Sequence, residues 1–588
     1  MLRFFRTHPG TAALAAVLLA CFAAPYLIPT DPDSAVFRGG MLPSLLLLVS
    51  YFPIKTAFRH LRQSAFLPCL FFAVAFSFSL SLGAELSFYN GLLPGLRSMI
   101  RRFAVPLFST PLFFGLIMRL ILLPVPTGKA LRLPFVIWFV LLLLCWSPVL
   151  LAYWPGMLNY DFMTERSFFN QGLYSQRNPL LYLFLNNFLL SAGASFSNTN
   201  IGLLLSTVFM HMLPLAAALA YSLRFAERHD IPASLQIPLF VFYALHPMFS
   251  VLSISQSKDV PFAAALLVLS LLSWEMLRDQ DSFFSSRGKR ICFVLMTVFT
   301  IHMRKNGIAA ILLLFPALIF SLHKQRIRII RLTGISVLLS AFGLAAFELI
   351  PLDRQPYFQY LSIPAQQLVR AYRSDKLSEE EKAEIESWYF DKQGLILNPR
   401  LADGAKAYLM EERLEPELRN YLNLWFRIGK KCPREYIEAF LLLNIGSWYP
   451  DDKTHAHIYA FTGASRKGYL ELNEYKSREF TPTTFFPTLR DIIEEVCRYR
   501  AYQKYPIIST FFAIATPFWM LILACILFRA HGQKPLRVAA FGPLGVWFSY
   551  LFGPCALPRY ALPLFCLAPL LLLLAFGAKK YQATTTNL

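Results

Sequence analysis

Apolar stretches of about twenty residues recur along this chain, and that is the length a helix needs to cross a hydrocarbon core roughly 30 Å thick. With 588 residues, 56% of them hydrophobic and 55 of them Phe, the chain is too apolar for a soluble globule of this length. The mean hydropathy of +0.47 agrees. The pattern reads as an all-α polytopic membrane protein.

The net charge of +21 is unevenly spread. Residues 353–503 hold 22 Lys/Arg and 23 Asp/Glu, leaving 34 basic and 12 acidic residues for the apolar remainder. An excess of Lys and Arg in short loops between apolar runs is what fixes the orientation of membrane helices, so the charge implies a lipid bilayer and not nucleic acid. Arg3 and Arg6 precede the first run, 11–28, in the layout of a signal peptide. No small-x-small cleavage pattern follows, so this run is expected to stay as the first transmembrane helix.

Membrane helices are expected at 11–28, 41–54, 65–85, 104–125, 133–153, 201–222, 236–254, 260–277, 291–303, 307–322, 332–350, 505–528, 538–552 and 560–577, fourteen in all. Segment 179–195 is interrupted by Asn186 and Asn187 and is placed along the outer interface. The basic loops around Lys55 and Arg59, Lys129 and Arg132, Arg224 and Arg228, Arg287 to Arg290, Lys324 to Arg331 and Arg529 to Arg537 then face the cytoplasm, as do both termini. Arg97, Arg101 and Arg102 are the exception and fall outside. The chain divides into N-terminal transmembrane helices (1–132), a transmembrane core (133–352) with an outer loop at 154–200, an extracytoplasmic soluble domain (353–503), and C-terminal transmembrane helices with a polar tail (504–588). Ser378 ahead of three glutamates suits a helix start, and the soluble domain reads as mainly helical.

Seven of the nine cysteines lie in or beside apolar runs, where a thiol behaves as a small hydrophobe. Cys432 and Cys497 lie in the polar domain and could pair in an oxidising compartment, although spacing alone does not bring them together.

The topology gathers the polar motifs on the outer face. Asp161 follows Tyr153-Trp154-Pro155-Gly156 at the end of a long apolar run, with Tyr160 beside it. A carboxylate there can serve as a general base, or its oxygen can cap a helix. In Ser257-Lys258-Asp259-Val260-Pro261, Lys258 offers a point charge for a phosphate, and Asp259 can bind a sugar hydroxyl or cap the helix that starts at the proline. Arg304-Lys305-Asn306-Gly307 and Pro558-Arg559-Tyr560 place cations between apolar runs on the side where positive loops are disfavoured, which calls for an anionic partner such as a lipid phosphate. Headgroup snorkelling is the simpler account of the same residues. Trp448-Tyr449-Pro450-Asp451-Asp452 runs on to His455 and His457; the aromatics can face a sugar ring or pack, and the acids and histidines supply too few ligands to specify a divalent metal.

These motifs, with Ile363-Pro364-Ala365-Gln366-Gln367 and the closing Arg559-Tyr560-Ala561-Leu562-Pro563, resemble a bacterial family of uncharacterised polytopic membrane proteins over about residues 130–577. That family in turn resembles the GT-C glycosyltransferases, including the aminoarabinose and protein mannosyl transferases. The resemblance implies a GT-C-like fold, a catalytic Asp in the first outer loop after a core helix, a second acid in the next outer loop, and a polyprenyl-phosphate sugar donor used outside. Asp161 and Asp259 match the two acidic positions. The soluble domain departs from the pattern, being inserted ahead of the last three helices.

The expectation is an inverting glycosyltransferase of the bacterial inner membrane that transfers a sugar from a polyprenyl-phosphate carrier to a cell-envelope glycan or lipid acceptor. Asp161 and Asp259 are the expected catalytic carboxylates. Lys258, Arg304, Lys305 and Arg559 are expected on the donor phosphate, and Tyr160, Asn306, Trp448 and Tyr449 on substrate. No cofactor is required, since fixed cations can supply the electrostatics. The competing readings are a flippase or transporter for lipid-linked glycans, for which only His211 and Glu348 lie inside expected spans in a way that suggests a polar path, and a non-catalytic assembly subunit.

Overall fold

Where the sequence is continuously apolar, the chain is helical, and the helices pack into one hydrophobic core running from Ala12 to Ala575. The computed structural model describes residues 2–27, 48–60, 63–123, 127–176, 178–196, 198–353, 355–452, 480–481, 483–499 and 506–577. Among these the only strand pairing beyond isolated bridges is a two-residue parallel ladder, Tyr174–Ser175 on Leu352–Asp353. The protein is an all-helical membrane protein.

Among the described residues seven helices are long and apolar enough to cross a bilayer: Ala65–Tyr89, Leu96–Leu122, Phe135–Ala152, Thr199–Arg228, Asp259–Arg278, Arg326–Phe347 and Pro558–Gly577. An eighth candidate, Ala233–Leu245 with Pro247–Ile254, bends by 50° where Pro247 interrupts the run. Asp259–Arg278 is the axis of the bundle, buried along nearly all its length and flanked by Thr199–Arg228, Arg287–Met303 and Pro558–Gly577. Arg326–Phe347 lies at the periphery, with Leu338 and Phe342 turned outward.

Several expected spans are shorter than the sequence pattern implied. The first half of run 41–54 lies outside the described residues, and its last four residues begin the short helix Tyr51–Arg59. Run 538–552 is a 3-10 helix, Lys534–Ala540, continued by the ten-residue helix Phe541–Tyr550. At 1.5 Å per residue the latter extends about 15 Å, half a hydrocarbon core. It packs on the fifteen-residue helix Gly307–Ser321, where a Cβ on Gly545 would lie 2.5 Å from the Ala309 carbonyl oxygen. These two short helices end beside each other near Asn306 and Ser549, and residues of the candidate site sit there.

Residues 361–436 enclose a separate small core around Leu368, Trp388, Tyr421 and Leu424. Ser378 caps the helix Glu379–Glu386 in a reciprocal capping box with Glu381. This lobe is tied to one end of the helix bundle. The Ala402 amide donates to the Pro554 carbonyl at 2.8 Å and Asn444 Nδ2 to the Leu551 carbonyl at 3.0 Å. Arg370 reaches the Asn90 carbonyl at 2.8 Å, and the Leu92 amide donates to Glu438 at 3.0 Å. The Asn90–Leu93 turn therefore lies on the lobe side, which puts neighbouring Arg102 there too. Arg102 is neutralised by buried Glu85 at 2.8 Å, and this explains how a basic residue is tolerated where the charge pattern disfavours it.

The opposite end carries the basic loops. Lys129 accepts from the Ala233 amide through its carbonyl, Lys289 pairs with Glu275 at 2.8 Å, and Arg278 lies over Trp274. Glu348, expected inside a span, instead caps the C-terminus of Arg326–Phe347 beside Gln176. Cys432 is a buried thiol in the lobe, and the side chain of Cys497 lies outside those described.

Candidate functional site

The turn that ends the helix Phe135–Ala152 fixes the first half of the site. Gly156 has φ of 149°, and a Cβ there would lie 2.1 Å from Thr207 Oγ1, so this position must be glycine for the loop to settle against the helix behind it. The Met157 amide then donates to the Ile254 carbonyl at 2.8 Å and the Gln256 amide to the Met157 carbonyl at 2.9 Å. These two bonds stitch the loop before Asp161 to the loop before Asp259. Gln256 reinforces the join through Ser206 at 2.8 Å, Thr207 at 2.9 Å and Asn186 at 3.2 Å, so the asparagine that interrupts segment 179–195 is part of a buried polar network.

Neither aspartate is spent as a helix cap. Asn159 caps Tyr160–Asn170, its Oδ1 accepting from the Phe162 amide at 2.9 Å. Asp259 is the first residue of its helix, with Lys258 at the cap position and no side-chain capping bond. Both carboxylates are left for ion pairing near positive helix ends.

Arg559, which opens the last helix, joins them. Its Nη2 lies 2.8 Å from Asp161 Oδ2 and its Nε 3.7 Å from Asp259 Oδ2. Asp259 is also paired with Arg304 and accepts from Ser257 Oγ at 3.0 Å. Arg304 lies 4.4 Å over the Tyr560 ring and 5.2 Å over Tyr550, and those two rings stack at 5.1 Å. Asn306 bridges Arg304 Nε, at 3.1 Å, to Ser549 at 2.7 Å. Asp259 is thus the hub of a buried network with its side chain 2% exposed, while the Asp161 side chain is 30% exposed at the rim.

The two lysines complete a cationic wall. Lys258 Nζ pairs with Glu165 at 2.7 Å, and Lys305 Nζ donates to Gln355 at the start of the lobe at 2.7 Å. Burial, together with the charge of Lys258, holds the Lys305 ammonium below its ordinary range. Glu165 is pushed above the usual carboxylate range by burial, against the pull of Lys258. Four cations thus face three carboxylates, and among the described residues Lys305 alone of the four is bonded to a neutral amide and to no carboxylate. The arrangement can hold an anion beside a carboxylate that can take a proton.

Asp161, Asp259, Lys258, Arg304, Lys305, Asn306 and Arg559 therefore come together. Tyr160 begins the same helix as Asp161; its side chain is not among those described. Trp448 and Tyr449 do not join. Tyr449 is fully buried against Gly83, Leu86 and Leu442, and Trp448 packs beside it with its carbonyl accepting from Ser79 and Trp519, so these aromatics fasten the lobe to the helices instead of offering a face to a sugar. Asp452 is taken by Arg400 at 2.8 Å. His455 and His457 lie outside the described residues, and no group of three His, Cys, Asp or Glu could hold a metal among the described ones.

Glu165, Tyr550 and Gln256 belong to the site and carried no motif, and Tyr560, present in the Pro558-Arg559-Tyr560 motif, was not assigned a role there. Glu165 alone had a sequence signal, lying four residues after Asp161 and so on the same helical face. His211, inside a span, bonds to Tyr182 and to the Ser206 carbonyl and has no part in the ion network.

A family model, described as a family of unknown function (DUF6020), matches residues 170–587 and so covers Asp259, Arg304 and Arg559 while beginning nine residues after Asp161. No curated protein and no solved structure matches the chain. With most of its length matched by that one model, the chain belongs to the DUF6020 family.

Proposed function

We propose that the chain is a GT-C-like inverting glycosyltransferase that moves a sugar from a polyprenyl-phosphate donor to a glycan or lipid acceptor at the outer face of the cytoplasmic membrane. The observation that carries this reading is the pairing of one rim carboxylate, Asp161, with Arg559, which also holds the buried Asp259, beside Lys305 at the same helix ends. A proton acceptor next to fixed positive charge is what transfer from a phosphate leaving group requires.

In the proposed step Asp161 takes the acceptor hydroxyl proton, the freed oxygen bonds to the anomeric carbon, and the bond from that carbon to the phosphate oxygen breaks. The electron pair leaves with the phosphate, whose charge is met by Lys305 and Lys258. Arg304 and Arg559 are engaged by Asp259, and their role in this reading is to hold the two loops and the field in place. A fixed electrostatic wall of this kind needs no metal.

Fourteen spans, with both termini cytoplasmic and the lobe outside, remain the topology we favour. The shorter apolar helices Pro9–Leu27, Arg287–Met303, Gly307–Ser321, Ala515–Ala530 and Phe541–Tyr550 would bring the count to thirteen, and run 41–54, half of it outside the described residues, would be the fourteenth. Basic loops at the end away from the lobe favour that orientation.

The test is mass spectrometry of polyprenyl-phosphate sugars and envelope glycans from cells with wild type, a deletion, or Asp161→Asn at matched protein level. Accumulation of one lipid-linked sugar and loss of one decoration in both altered strains is expected, with turnover of Asp161→Asn down about a hundred- to ten-thousand-fold. A deletion phenotype with a silent Asp161→Asn would replace this reading with transport or assembly.

A further inference from the structure

A second cleft lies on the lobe and shares no residue with the carboxylate–arginine cluster. It measures about 730 Å³ and opens between the Asn90 turn and the helices Ser362–Tyr372 and Pro433–Leu443. That is the size range of small-molecule sites. Its lining is charged, with only Leu397 and Pro399 apolar, so an apolar guest does not fit it.

The walls are preassembled. Glu438 is paired with both Arg370 and Arg434, and these arginines also bond to the Asn90 and Leu92 carbonyls. Lys376 pairs with Glu435 at 3.0 Å, and Ser374 donates to the same carboxylate at 3.2 Å. Two lining side chains stand apart from these pairs: exposed Arg373 and exposed Asp375 make no side-chain bond among the described residues. A free guanidinium fork takes a carboxylate or phosphate in two parallel hydrogen bonds, while Asp375 and Glu435 offer acceptors for neighbouring hydroxyls.

We propose that this cleft binds an acidic oligosaccharide, with Arg373 on its carboxylate or phosphate and Asp375 on an adjacent sugar hydroxyl. The helix Pro433–Leu443 runs from the cleft for about 16 Å. It ends at Asn444, which donates to the Leu551 carbonyl in the loop ahead of Arg559. A chain held in the cleft is therefore anchored to the same element that positions Arg559. The proposal stands on its own residues and does not depend on the transferase reading.

The experiment is isothermal titration of the full chain in phosphatidylcholine nanodiscs with a trimer of galacturonic acid, with maltotriose as the neutral control. Wild type is expected to bind the uronate trimer, and Arg373→Ala to bind it about tenfold or more weakly, the loss of one charge-assisted contact. Arg373 is exposed, so the variant keeps its fold, and Asp161→Asn is expected to bind as wild type does. Equal binding of maltotriose, or equal affinity in Arg373→Ala, overturns the proposal. So does full displacement by inorganic phosphate, which would mark a simple anion site, or loss of uronate binding in phosphatidylglycerol nanodiscs, which would mark a lipid headgroup site.

Discussion

Two buried carboxylates in this molecule each hold two arginines, and they do different work. Glu438 binds Arg370 and Arg434, Asp259 binds Arg304 and Arg559. At Glu438 the remaining valences close on backbone: the Asn90 and Leu92 carbonyls accept from the arginines, and the Leu92 amide donates to the carboxylate. At Asp259 the arginines turn to aromatic faces and, through Arg559, to a second carboxylate at the rim. A cluster whose donors end on main chain is a staple. One that ends on titratable side chains beside a cationic wall has capacity for a ligand.

The comparison breaks most visibly if both acids are neutralised. Asp259→Asn leaves two largely buried arginines short of a partner and should lower stability by about 3 kcal/mol in detergent denaturation, and Glu438→Gln, which strands the largely buried Arg370 and the exposed Arg434, should cost less, about 2 kcal/mol. Under the proposed transferase reading, turnover per folded molecule should vanish for Asp259→Asn and stay at the wild-type level for Glu438→Gln. Equal turnover in the two variants would erase the distinction between staple and site.

Lys305→Ala sharpens the same contrast from the ligand side. Its ammonium bonds to a neutral amide, so its removal should leave stability nearly unchanged and, under the proposed transferase reading, raise KM for the phosphate-linked donor roughly tenfold. An unchanged KM would take Lys305 off the donor.

Acid should loosen the staple. Burial raises the Glu438 carboxyl, but hydrogen bonds from Arg370, the Leu92 amide and Arg434 outweigh it, and the net shift is below the usual carboxylate range. A depressed carboxylate contributes stability above its unfolded pKa and loses it as pH falls through the folded value. Wild type should therefore lose stability on acidification more steeply than Glu438→Gln, read as the difference between their melting curves below about pH 5. Parallel curves would remove the charge from the staple. The smallest effect is expected for Tyr560→Leu, which removes the ring beneath Arg304 and should cost about 1 kcal/mol, while Tyr560→Phe keeps it.

Most of the helices were legible in the sequence, because a long apolar run signals burial in lipid whatever its neighbours are. Lengths were less legible. Run 538–552 looks continuous, yet the chain spends it on a 3-10 helix and a short helix that stops at Tyr550, where the ring must stack on Tyr560. Seven of the charged and amide residues of the site, Asp161, Lys258, Asp259, Arg304, Lys305, Asn306 and Arg559, were visible as polar interruptions at helix ends, while Glu165 and Gln256 were not singled out. Trp448 and Tyr449 were misjudged because an aromatic pair reads the same whether it faces a sugar or packs on Gly83.

The sequence by itself determined a helical membrane protein with basic loops at one end and acids and cations at the other, since hydropathy and charge act locally along the chain. Only the tertiary structure decided which charges meet. Asp161 and Arg559 are 398 positions apart and become partners because main-chain bonds at Met157 and Gln256 align two loops and the last helix starts between them. Glu165 entered the site in the same way, as a buried acid whose raised pKa depends on the depth of burial and the nearness of Lys258. No local pattern records either quantity, because both arise from contacts between distant segments.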